Sequence, residues 1–283
     1  MREKAGFSRK FRQLRQLIRG IGGLCGGIMI AANQGIVVRL EFPDEPGTKS
    51  AQVEWQGKKV PAVLQQGRWI TVVGVDLDLK PGEYTANAVL TSQDGRTAAH
   101  EAIIRVDAAE FPVTELTVEE KYVQLSPANL ARANREAKEI ETIYSAMSGE
   151  MLWQEPFRVP IAGGTGRNFG HRRVFNGEPR APHSGADLRA KTGTPIHAAN
   201  RGRVVLAKNL FFTGNTVILD HGLGIYSLYA HLSRLDVKRG DTATRGQLLG
   251  LAGATGRVTG PHLHWAVRAQ GARVDPFTLV ELK

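Results

Sequence analysis

The chain has 283 residues, 42% hydrophobic and 23% charged, the balance of a globular protein with room for one large core or two modest ones. Of its net charge of +10, six units fall in residues 1–20, where seven Lys and Arg face Glu3 alone. The remaining 263 residues carry only +4, a weak case for the basic stripe that a nucleic-acid partner needs.

The basic start runs into twelve apolar or small residues, Ile21 to Ala32. A spanning helix takes about 20, whereas a signal-peptide core takes fewer and ends in small residues such as Ala31 and Ala32. Residues 1–34 therefore read as a signal peptide or N-terminal anchor. The expected location is the periplasm, the cell envelope or the exterior, with membrane contact only through this segment where it is uncleaved. Cys25 is the only cysteine, and Gly22-Gly-Leu-Cys25 lacks the lead-in of a lipidation site. Once the leader is removed no thiol remains, so disulfides, cysteine zinc sites and cysteine nucleophiles are excluded.

Residues 35–115 alternate short β-rich runs (36–42, 51–55, 69–73, 84–90 and 102–106) with turn signals such as Pro46-Gly47, Pro81-Gly82 and Asp94-Gly95. This predicts a small antiparallel sandwich of Ig-like style without chemistry of its own. Over 116–150, Ser126-Pro127 supplies an N-cap and a first helical residue. Leu130, Ala133, Ala137, Ile140, Tyr144 and Met147 then mark one apolar stripe, predicting a helical connector docked on a neighbouring unit. From 151 to 283 the pattern is again β and rich in glycine, with strands expected at 202–206, 215–220, 225–231, 248–252 and 262–267. The fold class is mainly all-β.

Six of the eight histidines lie between 183 and 264. In His262-Leu-His264 the two imidazoles, two apart on a strand, project from one face, and buried rings need polar partners that metal ligation supplies. His183-Ser-Gly-Ala-Asp187 adds a neutral nitrogen and an anionic oxygen at another even spacing, with Gly185 allowing close approach. Two imidazoles and one carboxylate leave a fourth position open on zinc, the pattern of a catalytic rather than a structural site. Tyr229-Ala-His231 places a further imidazole at a strand end. His221 reads as shaping a hairpin end, and His100, His171 and His197 as structural or surface residues.

His183-x-x-x-Asp187, Gly193-Thr-Pro195, Tyr229-Ala-His-Leu232, Gly246-Gln247 and Thr259-Gly-Pro-His-Leu-His264, in this order, resemble the lysostaphin-type (LytM-like) zinc endopeptidases over roughly 160–278. The resemblance implies an antiparallel β-sheet groove with one Zn2+ per chain at its floor, held by His183, Asp187 and His264. It implies catalytic roles for His231 and His262, and peptidoglycan stem peptides as substrate. Tyr229 is expected to contact that substrate, and Arg172 and Arg173 either face the groove and meet its carboxylates or form a solvated pair. Some relatives lack ligands and only activate other wall hydrolases; no ligand is missing here.

Overall fold

A computed structural model describes residues 28–282 except positions 118, 121–123, 165 and 167. Most of the expected leader, Cys25 included, lies outside these residues.

The N-terminal unit holds β1 (Ile28–Asn33), β2 (Val37–Pro43), β3 (Thr48–Trp55), β4 (Lys58–Gln65), β5 (Arg68–Gly74), β6 (Gly82–Ser92) and β7 (Thr97–Asp107). They pair in the order β1-β7-β6-β3-β4-β5-β2. β4 pairs with β3 through residues 58–62 and with β5 through 63–65, so one strand passes between two layers. Leu40, Val53, Trp55, Val60, Val73, Ala88, Leu90 and Ile104 fill the space between the layers and are all but inaccessible. Residues 28–33, inside the span read as leader, form an edge strand parallel to β7 with Ala32 buried.

β8 (Val113–Leu116) leads to α1 (Pro127–Ser145), where the Ser126 hydroxyl accepts a bond from the Asn129 amide at 3.3 Å, as a capping serine should. Ile140, Ile143 and Tyr144 of this helix pack on a cluster that includes Leu206, Ile218, Tyr226 and Leu228, which makes it the docked connector expected from its stripe. Leu130 departs from that stripe and is 48% exposed.

The C-terminal unit follows with β9 (Arg172–Phe175), β10 (Glu178–Arg180), β11 (Gly185–Arg189), β12 (Pro195–His197), β13 (Gly202–Leu210), β14 (Gly214–Gly222), β15 (Ile225–Leu235), β16 (Thr242–Ala243), β17 (Leu248–Ala252), β18 (His262–Ala269), β19 (Ala272–Val274) and the short α2 (Pro276–Glu281). An antiparallel sheet runs β11-β18-β15-β14-β13-β16. One face carries the main core, with Leu188, Val217, Leu219, Tyr229, Leu263 and Trp265, and the other receives α1. β8, β9 and β10 form a separate small sheet.

The two units share packing. Val37 and Val72 belong to the C-terminal core cluster, and a Cβ at Gly74 would stand 2.7 Å from that of Ala269, so glycine lets the two backbones meet. Arg273 pairs with Asp76 through two bonds, of 3.0 and 2.5 Å. Buried Gln270 accepts from the Gly74 amide at 3.1 Å and donates to the carbonyls of Val72 and Leu223 at 3.0 and 2.7 Å. Replacing it with a hydrocarbon strands three buried backbone groups. Gln270→Leu should lower the stability of the whole chain by roughly 2–5 kcal/mol, read as a shift in the urea midpoint; a loss below about 0.5 kcal/mol would mean that the seam does not depend on this side chain.

Candidate metal centre

The antiparallel register of β11 and β18 sets Asp187 directly opposite His264, and Arg189 opposite His262. Side chains of one strand alternate, so His262 and His264 rise from the same face as Asp187 while Leu263 and Trp265 enter the core on the other. His183, just before β11, is delivered beside them with 1% of its side chain exposed. A Cβ at Gly185 would lie 2.8 Å from the His264 ring, so the close approach expected at this glycine is present.

Three acceptor atoms converge. His183 Nε2 is 2.9 Å from His264 Nδ1 and 3.1 Å from Asp187 Oδ1, and His264 Nδ1 is 2.9 Å from the same oxygen. The His183 tautomer follows from its outer partner. His183 Nδ1–H donates to the Asn168 carbonyl at 2.9 Å, leaving the Nε2 lone pair aimed inward. A tetrahedral ion with bonds of about 2.0 Å would hold its ligand atoms about 3.3 Å apart, so this triangle is close to what a zinc-sized cation requires. His183, Asp187 and His264 could therefore hold a metal ion.

Protonation suits the same task. Burial would raise the Asp187 carboxyl, but the imidazoles of His183 and His264 packed against its Oδ1 hold it far below the usual carboxylate range. Burial lowers His183, and it lowers His264 to about 4. Two neutral imidazoles and one carboxylate are thus available at neutral pH without the removal of a proton from any histidinium.

His231 and His262 flank the triangle, their ring centroids 4.8 Å apart. His231 Nδ1–H donates to the Thr255 carbonyl and His262 Nδ1–H to that of Gly260, each at 2.8 Å, so both leave Nε2 available. His231 stands at φ +64, the left-handed region that L side chains rarely adopt. There β15 stops pairing with β18, at Ala230, and begins pairing with β17, at Leu232. The twist sends His231 toward the metal triangle and away from the core that holds Tyr229 and Leu232. Burial and the neighbouring His264 and His262 push it down to about 3.

The expected substrate contacts fare differently. Tyr229 has no exposed surface, and its hydroxyl accepts from the Ala199 amide at 2.9 Å, which makes it a core residue. Arg172 is exposed on β9, whereas Arg173, next on the strand, turns inward and donates to Asp187 Oδ2 at 3.2 Å. Asn168, absent from the expected site, donates to the same oxygen at 2.9 Å and accepts from the Asp187 amide at 2.9 Å. It belongs to none of the motifs that carry the resemblance. A cavity of about 220 Å³ above the triangle is lined by Thr114, Asn168, His171, Arg173, Thr259 and His262 among others.

His221 is wholly buried at the β14–β15 hairpin, its ring nitrogens 2.7 Å from the Arg201 carbonyl and the Ser227 hydroxyl, in keeping with a structural part.

Fold and site together define an antiparallel β-sheet protein whose His-Asp-His cluster could hold a metal ion. Residues 181–276 match the model of peptidase family M23. A crystal structure of an M23 peptidase from Pseudomonas aeruginosa is 32% identical and covers 95% of this chain and 98% of its own, with a TM-score of 0.63. The chain belongs to peptidase family M23. Among curated relatives, peptidoglycan DD-endopeptidase ShyA of Vibrio cholerae is 34% identical over 180 residues, covering 60% of this chain and 42% of the relative. ShyC of the same organism is 41% identical over 114 residues, 40% of this chain and 26% of the relative. The chain thus spans less than half the length of either.

His264→Ala should abolish metal uptake, whereas His231→Ala should retain about one ion per chain, as read by elemental analysis; the reverse pattern would refute the division of roles drawn from the geometry. A second expectation concerns pH. Burial holds His221 down at about 4, against about 6.5 in the unfolded chain, so the unfolded state binds the proton more readily. Its contribution is complete above pH 6.5 and is lost as pH falls toward 4, at up to about 1.4 kcal/mol per unit. Metal-free protein should lose urea resistance across that window, and His221→Gln should flatten the slope; an identical slope in the variant would contradict the assignment.

Proposed function

We propose that this protein is a zinc-dependent endopeptidase that hydrolyses the peptide cross-links of bacterial peptidoglycan. The observation that carries the reading is the convergence of His183 Nε2, Asp187 Oδ1 and His264 Nδ1, with two further imidazoles beside them whose Nε2 atoms are available. Bound zinc would activate a water at neutral pH and polarise the scissile carbonyl. Asp187 contributes the negative charge and the two ligand histidines contribute neutral nitrogens. His231 and His262, each fixed by a backbone carbonyl, are placed to take a proton at Nε2 or, once protonated, to donate to the developing oxyanion.

The substrate class rests on the DD-endopeptidase relatives. Such a substrate places the protein in the periplasm or cell envelope. No helix among the described residues is long and apolar enough to cross a membrane. The competing reading, a silent activator of other wall hydrolases, loses weight because all three ligand positions are occupied by competent donors.

Purified protein loaded with zinc should release cross-link fragments from isolated sacculi, identifiable by mass spectrometry, and a chelator should stop the release. His262→Ala should keep the metal and lower turnover by about 10²–10⁴-fold. Zinc-loaded protein that leaves sacculi intact would favour the activator reading.

A further inference from the structure

The Asp187 carboxylate is divided between two tasks. Oδ1 faces the imidazoles of His183, His264 and His262, at 3.1, 2.9 and 3.6 Å. Oδ2 is turned away and takes hydrogen bonds from Asn168 Nδ2 and Arg173 Nη2. Left unheld, a carboxylate can chelate a cation through both oxygens and fill coordination space that water and substrate need. Holding one oxygen back keeps it a one-oxygen ligand.

Asn168 has the larger share in this. Its amide nitrogen holds Oδ2, its amide oxygen accepts the backbone N–H of Asp187, and its own carbonyl accepts the Nδ1–H of His183. One residue therefore sets the backbone position of one ligand, the rotation of that ligand's carboxylate, and the tautomer of a second ligand. Its own place is over-determined. A Cβ at Gly166 would fall 1.9 Å from the Asp187 carbonyl oxygen, so Gly166 lies directly on the ligand's backbone. On the other side Phe169 is buried, its ring against Gly35 of the N-terminal unit and edge-on to Phe111 at 6.2 Å.

We propose that Asn168 is the positioning residue of the metal centre, keeping Asp187 a one-oxygen ligand and His183 in its metal-binding tautomer. The inference rests on the metal-centre reading above, and its test does not depend on peptide hydrolysis. Asn168 is neutral, so its removal changes no charge near the ion, unlike that of Arg173, whose cation would also repel the metal. Zinc affinity, by competition with a chromogenic chelator, should fall about 10–100-fold in Asn168→Leu. The visible absorption of the cobalt-substituted protein should weaken, because a carboxylate freed to chelate raises the coordination number above four. The metal-free variant should unfold within a few degrees of the parent, which separates positioning from general stability. Asn168→Ser, which keeps an acceptor for the Asp187 amide, should fall between parent and Leu variant and serves alone if Asn168→Leu does not fold. Unchanged affinity and an unchanged cobalt spectrum in the folded variants would overturn the proposal while leaving the metal centre intact. A parent protein that takes up no zinc would overturn the metal-centre reading and this inference with it.

Discussion

Atoms that offer only lone pairs repel one another, and a fold that packs two imidazole nitrogens and a carboxylate oxygen within about 3 Å must put positive charge among them, as a proton or as a cation. His183, His264 and Asp187 make such an arrangement, and the surrounding architecture maintains it. The register that sets Asp187 against His264 is fixed by the buried partners on the reverse face of the same strands, Leu188, Leu263 and Trp265. Slipping one residue would turn those side chains toward the site and the ligands into the core. The hydrophobic core is therefore what makes the polar convergence possible.

The flanking imidazoles depend on a different device. By simple alternation His231 would share a face with Tyr229 and enter the core. It escapes because β15 changes partners at that residue and the backbone passes through a left-handed conformation. Strain of order 1–3 kcal/mol at one residue is sustained by its surroundings: the His231 amide donates to Thr213 and its ring to Thr255. The same twist explains why the sequence misleads at Tyr229. Two residues in one motif, at a spacing that predicts a common face, end on opposite sides of the sheet because the rule of alternation fails between them.

Much of the site was legible because its polar residues come in short-range pairs at even spacing, His262 with His264 on β18 and His183, just before β11, with Asp187. Asn168 was not, because an amide has no titration or metal preference to announce it, and its importance lies in contacts with residues 15 and 19 positions away. The sandwich and the docked helix were also readable. β4 was missed for a local reason: its flanking turns are Gln56-Gly57 and Gln66-Gly67, with positive φ at both residues of each pair. Such hairpin turns favour Asn or Asp before the glycine, and glutamine gives no signal there. Pro61 inside β4 further disguised it as a loop. β1 was hidden differently, since Ile28–Asn33 reads equally as the tail of an apolar leader and as an edge strand.

The N-terminal unit carries none of the histidines of the metal centre, yet it is not a passive appendage. Its Gly35 closes on the ring of Phe169, the residue after Asn168, while its Gly74 and Val72 meet Gln270 and Ala269 at the far end of β18. The strand bearing His262 and His264 is thus gripped at its distal end, and the segment that fixes Asp187 is gripped beside the metal triangle. Both contacts tie the N-terminal unit to segments that carry residues of the centre. The contact through Phe169 is the nearer to the centre, because only one peptide bond separates that buried residue from Asn168, whose amide holds Asp187.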